Sequence, residues 1–373
     1  MNDYKLSINR VCSLVALYLY CLLAGLQWST LPQGHILMTS GIGILKLLVI
    51  ASLFFALISS KPVFSIANLI AGAVFVLSLI ITKDWHLIFF LLFAFALRDV
   101  RFDKVGITMS MGVITVIVVL FFLYRQGVAQ DMISFRGGDI IRHSYGFNNT
   151  NHLGIVFSVF IVGILCFWFE RLSAIKIAIL AGLALVNYAI TDSRAALVYL
   201  LVAFFLASVG KLFPYFARRL INIFIFIFPV VVVLVCVSFY TYTGGPIESI
   251  FDRISSGRFR AISQVFHLIP ITAFQAPSVV KGLTIPFDCS YAYFLLVYGY
   301  VPAVLFFSLV LLGLYERNNN QKDVCLASVV VATLVYGLFE SKLFDLTFSY
   351  PFVKVILDMP SNLFDIYQTQ KSE

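Results

Sequence analysis

Apolar runs approaching 20 residues recur along this chain, from VCSLVALYLYCLLAGLQW near its start to YAYFLLVYGYVPAVLFFSLVLLGLY around residue 300. About 20 such residues are what an α-helix needs to cross about 30 Å of hydrocarbon. In that medium an unpaired backbone N–H or C=O costs several kcal/mol, so only helices and closed barrels can span it. The ten-residue alternating strands of a barrel are absent, which leaves helices. Composition agrees: 61% of the 373 residues are hydrophobic and 12% charged, where a soluble domain carries roughly a quarter charged. The expectation is an all-α polytopic integral membrane protein, a single transmembrane domain over residues 1–373. The first apolar run lacks a small-residue cleavage site after it and reads as a retained span.

Length and hydropathy mark twelve segments, at 11–27, 37–58, 63–81, 85–97, 105–124, 152–169, 174–190, 195–210, 221–240, 291–315, 324–339 and 343–357. The fourth is short and the last contains Asp345, Pro351 and Lys354, so these two are the weakest. Orientation follows from basic connectors, which favour the cytoplasmic side. Lys5, Arg10, Lys61, RDVRFDK, ERLSAIK, KLFPYFARR and ERNNNQKD all fall on one side if both termini are cytoplasmic. Two long segments are then external, 125–151 and 241–290. The second is too long for a simple connector and is expected to hold helices of its own. FDRISSGRFRAISQVFHLI fits one, with Phe259, Ile262, Phe266 and Ile269 on a common face.

With this topology the external face carries Arg125, Arg136, Arg142, Arg194, Arg253, Arg258, Arg260 and Lys281. Long loops tolerate charge, and Asp131, Asp139, Glu248 and Asp252 partly neutralise it, which accounts equally well for Arg125, Arg253 and Lys281. TDSRAALVYLL is different. Asp192 or Ser193 can cap the eighth span, which puts Arg194 in its first turn, where the helix dipole opposes a cation by about 0.3 to 1 kcal/mol. An anionic ligand there would be held by the arginine and the free N–H groups together.

RHSYGFNNTNHLG, residues 142–154, follows the same logic at the sixth span. Asn148, Asn149 and Asn151 are capping residues, and Gly146 and Gly154 allow a tight turn and close packing. His152 reads more readily as a packing histidine than as a catalyst. The six cysteines are scattered in apolar runs and behave as small hydrophobes. No Walker loop, GxGxxG, HExxH or DxD pair occurs, the histidines lack ligand spacing, and the basic residues form no nucleic-acid stripe. The expectation is therefore no cofactor and no metal. A metal-free reaction on a lipid-linked phosphate needs arginines to stabilise the leaving group, and the outer face supplies them.

YGFNNTNHLG, then TDSRAALVYL, SSGRFRAISQ in the long external segment, DCSYAYFLLVYGYVPAVLF and GLFESKLF together resemble the bacterial O-antigen polymerase and O-antigen ligase superfamily. The likeness covers roughly residues 140–345 and is greatest to the Wzy-type polymerases of O-antigen and capsular polysaccharide. It implies an inverting glycosyltransferase at the outer face of the bacterial plasma membrane, moving a glycan from undecaprenyl pyrophosphate to another lipid-linked repeat unit. Implied partners are that lipid-linked oligosaccharide, the bilayer, a chain-length regulator and a flippase. Carried over by motif, Arg194 and Arg258 bind the pyrophosphate, Arg142 and Arg260 assist, and Asn149, Asn151, Tyr291 and Glu340 contact substrate or orient the site. Ligases of the superfamily show a histidine–asparagine pair where this chain has DCSY, so Asp288 becomes the candidate general base. A capping role for Asp288 or Ser290 fits the same residues, and Glu340 can equally pair with Lys342. Ligation onto lipid A core and transport by a flippase are the alternatives. Transport predicts repeated halves and charges or broken helices at mid-membrane; the sequence shows no such repeat, and Lys46 is the only basic residue deep in a span.

Overall fold

The computed structural model of the protein describes residues 2–32, 34–59, 66–136, 140–254, 257–275, 288–319, 323–343 and 345–358. It is 79% helical. In chain order the helices are α1 (Asn2–Gln27), α2 (Ile42–Ser59), α3 (Ile66–Thr82), α4 (His86–Leu97), α5 (Phe102–Arg125), α6 (Thr150–Trp168), α7 (Ala174–Thr191), α8 (Arg194–Leu212), α9 (Pro214–Tyr240), α10 (Pro246–Ile254), α11 (Arg258–Leu268), α12 (Ser290–Tyr298), α13 (Tyr300–Asn319), α14 (Val324–Tyr336) and α15 (Leu346–Ser349). Among the described residues, eight helices are long and apolar enough to cross a membrane. Their outward faces are apolar: Leu47, Ile50, Phe54 and Ile58 on α2, and Phe226, Val230, Val233 and Val237 on α9, are all exposed. Surfaces of that kind are stable only against lipid, and the protein is an all-α membrane protein.

The eight helices match eight of the twelve expected segments. Segments three, four and eleven are helical but shorter, at 17, 12 and 13 residues. The twelfth is not a spanning helix. It folds as α15 and a 3-10 turn, Tyr350–Lys354, and is buried almost throughout. Asp345 caps α15 by accepting from the Thr347 N–H at 2.8 Å, and Pro351 sits in the following turn. The segment's hydropathy therefore reports burial in protein, not contact with lipid. One small sheet also departs from the all-helical expectation: β1 (Ile133–Arg136) pairs antiparallel with β2 (Ile140–His143) inside the long segment before α6.

The chain forms two compact units, Met1–Pro62 with Leu92–Ser208, and Val63–Leu91 with Val209–Glu373. In the first unit α1 packs on α2 and α5, and α5 packs on α6 and α6 on α7. Ser13 on α1 donates to the Ala96 carbonyl at 2.6 Å, and Ser110 on α5 to the Phe160 carbonyl at 2.8 Å, polar ties of the kind that join helices where lipid gives little hydrophobic drive. The second unit is built around aromatics. Phe306 on α13 meets Phe90, Phe294, Phe307 and Phe352 at centroid distances of 5.1, 5.2, 5.3 and 6.1 Å.

Also in the second unit, the tenth expected segment is broken. Gly299 has φ +87° and separates α12 from α13. The backbone groups freed there are taken up by the segment after α11: Tyr300 N–H donates to the Thr272 carbonyl at 3.0 Å, Val301 N–H to Ala273 at 3.1 Å, and Gln275 N–H to Tyr298 at 3.2 Å. Non-helical backbone at membrane depth is tolerated where it is buried in protein or lines a water-filled cavity, and these bonds from protein meet the first condition. A Cβ at residue 299 would lie 2.6 Å from the Ala273 carbonyl oxygen. Gly299→Ala is therefore expected to lower stability by about 2 kcal/mol or more through backbone strain and this clash. Thermal unfolding of the detergent-purified protein checks it, with Gly43→Ala, which meets nothing within 4 Å, as the tolerated control.

Candidate functional site

In the first unit the residues of RHSYGFNNTNHLG and TDSRAAL converge. Asn149 is the N-cap of α6, and its side chain accepts from the Asn151 N–H at 2.8 Å. Gly154 lies one turn on, and a Cβ there would meet the Ser193 Cβ at 2.7 Å, so the α7–α8 turn seats directly on α6. Asn187 on α7 donates to the Gly154 carbonyl and to Ser158, both at 3.0 Å. Gly146, at φ +94°, makes the turn before α6. His152 is buried, faces Asn148 at 2.7 Å and packs on Trp28, which is the packing role expected of it.

Arg142 and Arg194 divide sharply at this corner. Arg142 on β2 is 7% exposed; its Nε donates to the Thr191 carbonyl at 2.9 Å and its guanidinium to Asn151 Oδ1 at 2.5 Å. It fastens the hairpin to the C-terminus of α7 and the N-terminus of α6. Arg194 is the first residue of α8, directly after Ser193, whose carbonyl accepts the first helical bond from Leu197, and it is exposed. The cation at the helix N-terminus is the accessible one. Asp131 organises the hairpin's base. Burial pushes its carboxyl up, but the His143 ring at 2.6 Å and the N–H groups of Tyr145 and Ser144 outweigh that, and it ionises below the usual carboxylate range.

In the second unit Arg258, Asp288 and Lys342 come together. Gly257 at φ +83° ends the preceding chain and starts α11 at Arg258, later than the expected 251–269 stretch. Ile262 and Phe266 are buried, and Phe239 at the end of α9 meets Phe259 at 4.7 Å and Phe266 at 5.9 Å, so the expected apolar face docks α11 and places Arg258. Asp288 lies just before Cys289, the N-cap of α12. Arg258 Nε approaches Asp288 Oδ2 to 2.6 Å, with side-chain exposures of 32% and 14%. The approach lacks hydrogen-bond alignment, so the contact is one of charge. Burial raises the Asp288 carboxyl above its ordinary range; Arg258 and Lys342 oppose that only in part. Burial likewise pushes the Lys342 ammonium down, against Asp345, Glu340 and Asp288.

The remaining predicted residues hold this corner in shape. Ser290 N–H donates to the Gly337 carbonyl at 2.8 Å, and its hydroxyl donates to the Glu340 carbonyl and accepts from Leu343 N–H, which ties the start of α12 to the end of α14. Tyr291 is buried and donates to the Leu334 carbonyl at 2.7 Å. Glu340 is buried and faces Lys342. Arg260 is exposed and pairs with Asp252, its N–H on Oδ1 at 2.9 Å and its guanidinium 3.4 Å from Oδ2. Arg136 and Arg253 have side chains outside the described residues, and Lys281 lies outside them altogether.

Sequence reasoning missed Asp84, His86 and Asp345. Asp84 accepts from the His86 N–H at 2.9 Å and touches its ring at 2.5 Å, and His86 in turn interacts with Asp345. Burial pushes the Asp84 carboxyl up, but His86 outweighs it and the net is below the usual range. The signal was available: KDWH and ESKLFD join spans on the side assigned to Asp288, and both are charged in otherwise apolar surroundings. Among the described residues no group of three His, Cys, Asp or Glu side chains is placed to hold a metal ion.

Comparison with known proteins returns no match to a family model, to a curated protein or to a solved structure.

The contrast between the two arginines of the first unit is measurable. Arg142→Leu removes the charged donor to Asn151 Oδ1 and to the Thr191 carbonyl and is expected to cost about 2 to 3 kcal/mol. Arg194→Gln at its exposed position should stay within about 0.5 kcal/mol. Thermal melts of the purified variants distinguish the two.

Proposed function

We propose that the protein is a polymerase of lipid-linked polysaccharide repeat units, working by inverting glycosyl transfer at the outer face of the bacterial plasma membrane in O-antigen or capsule synthesis. The observation that carries this reading is the Arg258–Asp288 pair at the mouth of α12, which sets a cation beside a carboxyl group of raised pKa. Glycosyl transfer from a pyrophosphate needs that combination. A sugar hydroxyl of the acceptor attacks the anomeric carbon, its proton passes to Asp288, and the carbon–oxygen bond to the pyrophosphate breaks with its electron pair on the departing oxygen. Arg258 offsets the charge that develops there, and Arg194, considered within the first unit alone, is an exposed cation suited to an anionic group. Asn149, Asn151 and Arg142 hold the start of α6 in place, Arg260 braces α11 through Asp252, and Tyr291 and Glu340 keep α12 and the chain after α14 in register. Undecaprenyl pyrophosphate leaves, and the elongated chain stays on the acceptor's lipid.

The topology that goes with it has twelve membrane-embedded segments, both termini cytoplasmic and 241–290 as the large external loop. The order of the five motifs supports the family, and DCSY supports polymerase over ligase onto lipid A core. Transport is the second reading, and the break at Gly299 is what favours it, because discontinuous helices line the substrate sites of many transporters. Deleting the gene and viewing the surface polysaccharide on a gel separates the readings. Single repeat units point to a polymerase, long chains that never reach the core to a ligase, and loss of every unit to a flippase.

For the site, Arg258→Gln is expected to slow chain extension about 10²- to 10³-fold and Asp288→Asn about 10²- to 10⁴-fold, at normal protein levels. Full-length polymer from Arg258→Ala would overturn the leaving-group assignment, and full-length polymer from Arg194→Ala the anion-binding role of that residue. The base must be ionised to accept a proton, so activity should fall as pH drops through the raised Asp288 pKa, above the value of about 3.9 for a free aspartate. An in vitro extension assay across pH reads that limb.

A further inference from the structure

At the end of α9 remote from α11, the first turns of the helix carry Arg218, Arg219 and Asn222. With Asn318 and Asn319, the last residues of α13, they wall a cavity of about 440 Å³. The amides hold one another. Asn318 Nδ2 donates to the Arg218 carbonyl at 2.9 Å and to Asn222 Oδ1 at 2.8 Å, and Asn222 Nδ2 donates to Asn319 Oδ1 at 3.1 Å. Two groups are left over: Arg218 Nε is buried without a hydrogen-bond partner, and so is Oδ1 of Asn318, a residue only 3% exposed. Among the described residues no carboxylate lines the cavity to balance the two guanidinium groups. A buried donor on a cation without an acceptor is costly, and an anionic oxygen in the cavity relieves it.

The other wall is apolar. Ile223 and Phe226 line the cavity, are 47% and 69% exposed, and continue along α9 into the exposed Val230, Val233, Leu234 and Val237. A basic mouth above an apolar track has the chemistry of a phospholipid with a negative headgroup. We propose that this cavity binds the headgroup phosphate of an anionic membrane lipid between Arg218 and Arg219, with an acyl chain laid over Ile223 and Phe226. The site lies at the opposite end of α9 from Arg258 and does not depend on the polymerase reading.

The test uses the full-length protein in nanodiscs of phosphatidylcholine, with phosphatidylglycerol added as the probe, read by thermal shift and by native mass spectrometry of retained lipid. Phosphatidylglycerol should raise the melting temperature and be retained. The double variant Arg218→Gln/Arg219→Gln should melt normally in phosphatidylcholine and lose about tenfold in affinity for phosphatidylglycerol. Arg219→Gln alone, at an exposed position, should move the same way by less. Equal stabilisation by soluble glycerol phosphate would overturn the lipid assignment. So would equal retention of both lipids, or an undiminished shift in the double variant.

Discussion

In hydrocarbon each backbone group left unpaired costs several kcal/mol, and the architecture of this protein is a set of responses to that cost. Among the described residues, eight helices of 18 residues or more answer it within a single segment. The second unit answers it by cooperation. Where α12 stops at Gly299, the carbonyls of Thr272 and Ala273 take the N–H groups of Tyr300 and Val301, and α15 with its 3-10 turn is enclosed by protein. The start of α12, with Asp288 beside it, sits where Ser290 joins the ends of two segments through the Gly337 and Glu340 carbonyls.

The electrostatics follow from burial more than from charge count. Arg142 is enclosed and its guanidinium joins an asparagine and a carbonyl of the protein, so its role is to position α6 and α7. Arg194 is exposed at a helix start whose dipole opposes its charge. Arg258 is intermediate, half-shielded and set against a carboxyl that burial has made more basic. Three arginines of similar standing in the sequence end as a buried strut, an exposed side chain at a helix start and one half of a charge pair.

Much of this was legible in the sequence for physical reasons. Long apolar runs report helices because no other structure tolerates lipid, and the asparagines of YGFNNTNHLG report a cap because Asn149 has the geometry to accept from Asn151 N–H. The break in VYGYVPAV was the harder feature. Gly299 and Pro302 mark a helix stop and start, but the surrounding hydropathy masks them. The last apolar segment misled in the same way, since hydropathy does not separate burial in lipid from burial in protein. The hairpin of β1 and β2 is four residues a side, too short for alternation to register. The fate of Arg142 was beyond reach, because its partner Thr191 lies 49 residues away.

The central claim is that chain growth and release of the pyrophosphate carrier are one chemical event at the α11–α12 corner. The direct measurement is a reconstitution in proteoliposomes with a pyrophosphate-linked repeat unit, counting carrier released and glycan joined in the same reaction, for the wild type and Arg258→Gln. The account predicts one undecaprenyl pyrophosphate released per glycosidic bond formed, with both falling together in the variant. Lipid-linked glycan that changes leaflet with no carrier released would contradict it.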